Sequence, residues 1–89
     1  MRTIKLTGRE ANLVRTMGFT ESVIGAELQD QSRMEPEDLT DTINGLIAAG
    51  LIESIPYKEE VEIADMPAMA FEVNPAYVGE LRRALIRGR

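Results

Sequence analysis

The chain has 89 residues, a hydrophobic content of 44% and a net charge of −5, which suits one folded domain over 1–89 with an adequate core. It contains no Cys and no His, so disulfides, thiolate metal sites and histidine-based catalysis are excluded. No segment has the ~20 apolar residues of a membrane span and the N-terminus lacks a signal-peptide pattern, so we expect a cytoplasmic bacterial or archaeal protein.

The first predicted elements are a short edge strand over 4–6 and a helix that follows it. Thr7 and Glu10 have the spacing of a capping box, which predicts that helix one begins there. Gly18 is expected to end this helix. Thr20 is a second predicted N-cap, so helix two is expected from about residue 21 to residue 31.

Helix three has the clearest signals in the sequence. Pro36 falls at its first position, after Glu35 as the cap, where the missing N–H of proline costs nothing. Gly50 supplies the left-handed residue beyond the C-terminus. Apolar residues recur every three or four positions and predict one buried stripe, formed by Leu39, Ile43, Leu46 and Ile47.

A hairpin is predicted over 51–73. Its first strand covers 51–57, and the alternation of Met69, Phe71 and Val73 with Ala and Glu predicts the return strand. The acidic segment between the strands is expected to form a wing or loop. The alternation around Val61 is also consistent with a brief extra strand in this segment.

The last predicted element is a helix over 75–87. Asn74 is its expected cap and Pro75 its first residue. The charge pattern then separates the two ends of the chain from its middle. Residues 1–16 and 80–89 each carry a balance of +3, whereas residues 17–79 carry −11.

The residues around helices two and three resemble the winged helix-turn-helix superfamily. The matching positions are Ile24 to Leu28, Met34, Leu39, Ile43, Leu46 and Gly50 to Ile52. The resemblance implies an α+β winged helix with the order β-α-α-α-β-β-α: a three-helix core over 7–50, a wing and an extra C-terminal helix. Arg33 stands where the family's turn often has Gly and Ser32 where Leu is common, so we expect a longer or irregular turn.

DNA-binding members of this family place helix three in the major groove, but the side of this helix that we expect to be exposed has no Lys or Arg. Affinity for duplex DNA comes largely from neutralised phosphates, and a carboxylate 4 Å from a phosphate costs about 1 kcal/mol in water and about 4 kcal/mol at an effective dielectric of 20. We therefore predict a non-catalytic interaction module, associated with transcription regulation, that binds a basic protein partner. The expected acidic face consists of Glu37, Asp38, Thr40, Asp41, Asn44, Glu59 and Glu60.

The alternative is a dimeric transcription regulator that binds DNA directly through helix three and the basic terminal helices. Thr40, Asp41 and Asn44 would then contact bases, and Asn suits adenine. The expected basic face consists of Arg9, Arg15, Arg82, Arg83 and Arg87. Solvated arginines that match a helix dipole or form internal ion pairs are the simpler explanation of this face.

The last helix also has more apolar residues than one narrow stripe requires. This excess predicts a homodimer through 76–87, and packing within one chain is the other interpretation. The candidate dimer residues are Tyr77, Leu81, Ala84 and Leu85. A self-associating structural domain without another partner is a third interpretation.

No residue set in the sequence supports catalysis. Ser22, Ser32 and Ser54 have no His to activate them. The carboxylates of 35–41 lack the D-x-D-x-D-G spacing of a calcium loop, and Gly45 belongs to a helix rather than to a phosphate loop. We expect no enzymatic activity, no cofactor and no metal site.

Overall fold

The structure is a computed structural model that describes residues 4–87, with side chains described through residue 86. Within this range the chain forms an α+β fold with four α-helices and a three-stranded antiparallel sheet. The helices are α1 (Gly8–Met17), α2 (Gly25–Ser32), α3 (Pro36–Ala48) and α4 (Val78–Arg87). The strands are β1 (Val23–Ile24), β2 (Ile52–Ile55) and β3 (Ala70–Val73), and 3-10 helices cover Met66–Ala68 and Pro75–Tyr77.

Helix α1 begins and ends as its sequence predicts. The Thr7 hydroxyl accepts a hydrogen bond from the Glu10 N–H at 3.1 Å, and the Glu10 carboxylate accepts one from the Thr7 N–H at 2.8 Å. These two bonds satisfy N–H groups that have no partner within the helix. Gly18 ends the helix with a positive φ of 73°, a backbone conformation that L side chains rarely adopt.

The third strand of the sheet is not where the sequence predicts it. No strand forms over 4–6, where Ile4 is buried in the core. The strand is instead β1, which pairs with β3 so that Val23 lies opposite Phe71 and Ile24 opposite Ala70. The predicted start of helix two near residue 21 is therefore wrong, because the β-branched pair before Gly25 extends the sheet.

The turn between α2 and α3 is short, so the expectation of a longer turn is wrong. It covers residues 33–35, and Arg33 adopts the left-handed conformation with a φ of 60°. The Arg33 N–H donates to the carbonyl oxygen of Gln29 at 3.2 Å. The buried Ser32 hydroxyl accepts from the Met34 N–H at 3.3 Å and fixes the chain that enters α3.

The predicted helix three and hairpin are confirmed. α3 begins at Pro36, and Gly50 follows it with a φ of 78°. β2 and β3 are antiparallel, with Ile52 opposite Val73, and the sheet order is β1-β3-β2. The brief extra strand around Val61 does not form. The buried core joins the inner side of the sheet to all four helices, and its largest side chains include Leu13, Leu28, Leu39, Ile43, Leu46, Ile52, Phe71 and Leu81.

The last helix starts with a 3-10 turn over Pro75–Tyr77 and continues as α4. The Asn74 side chain accepts from the Ala76 N–H at 3.0 Å and donates to the Gly50 carbonyl oxygen at 2.9 Å. This residue therefore caps the 3-10 turn and ties it to the end of α3. None of the described helices combines the length and hydropathy that crossing a membrane requires.

Candidate functional site

An open groove of about 570 Å³ lies between α3 and the loop that follows β2. Its lining residues are Thr40, Asp41, Asn44, Glu60, Val61, Glu62, Ile63 and Ala64. The charged side chains among them, Asp41, Glu60 and Glu62, are all acidic and exposed. Ile63 is 47% exposed. The groove thus presents carboxylates beside an apolar side chain, which is a surface suited to a cationic and partly apolar ligand. We call this surface the acidic groove.

One side chain of α3 holds the loop in place. The Asn44 amide group donates to the Val61 carbonyl oxygen at 2.9 Å, and its oxygen accepts from the Val61 N–H at 2.7 Å. Asn44 therefore supplies to Val61 the two hydrogen bonds that a neighbouring strand would otherwise supply. Both polar atoms of the Asn44 amide have partners within the protein, although the sequence suggested this residue as a contact to adenine.

The prediction that Thr40 is exposed is wrong. Thr40 is only 3% exposed, and its hydroxyl donates to the Pro36 carbonyl oxygen at 2.7 Å. A hydroxyl bonded to the carbonyl four residues earlier is a common arrangement for Thr in a helix. Of the helix-three residues in the predicted acidic face, Asp41 projects a free charged group into the groove.

The loop is fixed at its start by Ser54. The Ser54 hydroxyl accepts from the Lys58 N–H at 2.7 Å and donates to the Pro56 carbonyl oxygen at 3.0 Å. Lys58 is the one basic residue of segment 56–65, and its ammonium group lies 3.5 Å from the Asp65 carboxylate. None of the glutamates of the loop has an ion pair among the residues that the structure describes.

The remaining residues of the predicted acidic face lie outside the groove. Glu37 is exposed in the first turn of α3, and Asp38 beside it pairs with Arg9 at 3.4 Å. Both partners of this pair are well exposed, so the pair contributes little to stability. Glu59 lines a neighbouring concavity with Ile47, Ala48 and Tyr57.

The structure brings together two of the five arginines of the predicted basic face. Arg15 and Arg82 line one concavity with Leu85 and Ile86, and Arg15 donates to the Leu85 carbonyl oxygen at 3.2 Å. The Arg82 guanidinium lies 5.1 Å from the centre of the Phe19 ring, within the range of a cation–π contact. Arg9 is instead beside α3, Arg83 pairs with Glu80 at 3.3 Å, and the side chain of Arg87 lies outside the described residues.

Most of the predicted dimer residues pack within the chain itself. Leu81 and Ala84 are buried in the core, and Tyr77 and Leu85 are partly buried against it. Ile86, by contrast, is 67% exposed beside Arg82. The free apolar surface of α4 is therefore smaller than the sequence suggested.

The sequence does not predict the apolar row on the outer side of the sheet. Ile24 and Ile55 both lie opposite Ala70, one on each side of it, and both are exposed. The alternation of β2 carries part of this signal, because it places Ile55 on the opposite side from the buried Ile52 and Ser54. The contribution of Ile24 could not be found in this way, since the sequence predicts a helix at that position.

No group of three or more acidic residues among those described is arranged to hold a metal ion. The chain was also compared with known proteins. Protein-family models, curated proteins and solved structures all give no significant match.

Proposed function

We propose that this protein is a non-catalytic winged-helix interaction module that acts in transcription regulation in the cytoplasm. It binds a basic segment of a protein partner through the acidic groove. The observation that carries the proposal is the composition of the groove, which combines Asp41, Glu60 and Glu62 with the exposed Ile63. Lysines or arginines of a partner would meet the carboxylates, while an apolar residue between them would cover the isoleucine.

Two features support a winged-helix fold. The three-residue turn over 33–35 joins α2 to α3, and a helix-turn-helix uses a turn of three or four residues. The hairpin of β2 and β3 then follows α3 directly, in the place of the wing. This scaffold has many functions, so the choice among them depends on the groove.

The negative charge of the acidic groove argues against duplex DNA as the ligand. A helix in the major groove lies between two phosphate backbones, and affinity depends on cations that release their counterions. Asp41 and Glu60 would face those phosphates here, and the nearby basic residues Arg9 and Lys58 already pair with Asp38 and Asp65.

The proposal is tested with a short fluorescent peptide of lysine and leucine, titrated with the protein and followed by anisotropy. The variant D41N/E60Q/E62Q removes the charges of the groove while it keeps their shapes. We expect it to weaken binding by at least about tenfold. The matched control E21Q/E27Q/D30N removes three exposed charges elsewhere and should change binding much less. Equal losses in the two variants would mean that the peptide responds to net charge alone, and would refute the groove as the site.

The second candidate function is a dimeric regulator that binds DNA through its arginines. The observation in its favour is the convergence of Arg15 and Arg82 on one concavity. Passage over heparin or nonspecific duplex DNA at low salt separates the two candidates. Retention that falls steeply with salt and is lost in R82E/R83E would support the DNA regulator, and flow-through would support the protein-binding module.

A further inference from the structure

The outer side of the sheet has an unusual arrangement of charges. Glu53 lies directly opposite Glu72 in the register of β2 and β3, and two like charges at such a position repel each other. Neither carboxylate has an ion pair among the residues that the structure describes. A cation from another molecule would therefore relieve a repulsion that the chain itself leaves in place.

An apolar row lies next to this pair on the same side of the sheet. Ile55, Ala70 and Ile24 form it, one residue from each strand, and the two isoleucines are 45% and 54% exposed. The row is two residues from the glutamate pair along the strands, a distance of about 6.7 Å. We call the row and the glutamate pair together the sheet patch.

A patch of the opposite sign lies on α4. Arg82 and Ile86 are four residues apart, so they occupy the same side of the helix at a rise of about 6 Å. Arg15 lines the same concavity, and its bond to the Leu85 carbonyl oxygen fixes its position. Neither arginine has an ion pair among the described residues. We call Arg15, Arg82 and Ile86 the helix patch.

The two patches are complementary in charge and in spacing. In each patch an exposed isoleucine lies about 6 Å along the backbone from a charged residue, which is a glutamate in the sheet patch and Arg82 in the helix patch. Two sheet patches would repel each other, and so would two helix patches. Self-association through a symmetric contact of either patch is therefore disfavoured, whereas a contact between unlike patches joins opposite charges.

We propose that the sheet patch binds the helix patch of a second copy of this chain, in a head-to-tail contact. Ile86 of one copy packs on the row of Ile24, Ala70 and Ile55 of the other, and Arg82 and Arg15 lie against Glu53 and Glu72. A contact between two different surfaces uses one surface of each copy, so further copies add in sequence or the assembly closes into a ring. The acidic groove is not part of this contact.

Sedimentation equilibrium of the full chain tests the proposal, with two variants that each remove one patch. I55S/E72K changes the sheet patch, and R82E/I86S changes the helix patch. We expect the average mass of the unaltered protein to rise with concentration and to fall as salt is added. Each variant alone should associate at least about tenfold more weakly. An equimolar mixture should recover association as a 1:1 dimer, because it contains one intact patch of each kind.

Several outcomes would overturn the proposal. These are a constant monomer mass of the unaltered protein at low salt, a mixture that stays monomeric, and a sheet-patch variant that still dimerises fully, which would indicate a symmetric contact of α4. Circular dichroism checks that the variants fold. If they do not, the single substitutions E72Q and R82Q replace them as milder changes of the sheet patch and the helix patch.

The control E62K/I63S makes the same kind of change in the acidic groove. It should lose binding of the basic peptide and keep self-association, so the two proposals fail separately.

Discussion

The side chain of Asn44 bonds to both backbone polar groups of Val61, at 2.7 Å to its nitrogen and 2.9 Å to its oxygen. The side chain of Val61 is buried in the core. The loop that forms one wall of the acidic groove is therefore attached to α3 by one amide and to the core by one apolar side chain. The geometry of the groove depends on this attachment.

The change Asn44→Ala should lower the free energy of unfolding by about 2 kcal/mol. It leaves the N–H and carbonyl of Val61 without partners in a partly buried place, and an unsatisfied group of this kind costs about 1–3 kcal/mol. Urea denaturation measures the change. Asp41→Ala on the same helix is exposed and should stay within about 0.5 kcal/mol. A similar small effect of both variants would show that the attachment is unimportant.

Gly25 and Gly45 should respond in opposite directions to replacement by Ala. A Cβ at residue 25 would lie against the carbonyl oxygen of Met66, because β1 runs into α2 in direct contact with the backbone of Met66–Ala68. We expect Gly25→Ala to cost about 3 kcal/mol. Gly45 lies exposed within α3, and a Cβ added there would lie 3.9 Å from a carboxylate oxygen of Glu10, an ordinary contact. Gly45→Ala should therefore stabilise by about 1 kcal/mol. Thermal denaturation of the two variants compares them. An unchanged stability of Gly25→Ala would contradict the packing described for residue 25, and a destabilised Gly45→Ala would contradict the open space at residue 45.

Replacement of Arg33 should show how much its left-handed backbone costs. Arg33→Gly removes the strain at a φ of 60° and should raise the free energy of unfolding by about 0.5–1 kcal/mol, after the greater freedom of Gly in the unfolded chain is counted. Arg33→Val places a β-branched side chain at the same φ and should lower the free energy of unfolding by about 1–2 kcal/mol. Guanidinium denaturation measures both. If Val were tolerated as well as Gly, the turn would not have this conformation in solution.

Glu72→Lys should stabilise the hairpin. It replaces the repulsion between Glu53 and Glu72 by an attraction, and cross-strand pairs of this kind contribute about 0.2–1 kcal/mol. Thermal denaturation at low salt measures the gain, which should shrink as salt screens the charges. Glu72→Gln removes the repulsion alone and should give a smaller gain. A loss of stability in both variants would mean that the two carboxylates are not opposite each other.

The parts of the fold that depend on local signals could be predicted from the sequence. The capping box of Thr7 and Glu10, Pro36 at the start of α3 and Gly50 after it each act within a few residues, and all are found as expected. The strand at Val23–Ile24 could not be predicted in this way. Its partners are Phe71 and Ala70, almost fifty residues later, and this pairing overrides the helical pattern of the local sequence.

The sequence predicts the negative charge of the candidate site but not its geometry. Charge counting along the chain is sufficient to find the acidic surface of Asp41 and Glu60. Charge counting does not show that Thr40 is buried or that the Asn44 amide is hydrogen-bonded to the backbone of Val61. Both facts depend on how the loop folds back on α3. For the same reason Arg9 was grouped with the arginines of α4, although it lies beside Asp38.

We propose that the acidic groove binds a basic protein segment and not duplex DNA. Amide chemical-shift mapping by NMR tests it most directly, with the lysine–leucine peptide and a nonspecific DNA duplex titrated separately into the labelled protein at low salt. We predict that the peptide shifts the amides of Asp41 and of residues 60–64, and that the duplex leaves them unchanged. Shifts of the α3 amides by the duplex, with none from the peptide, would contradict this account.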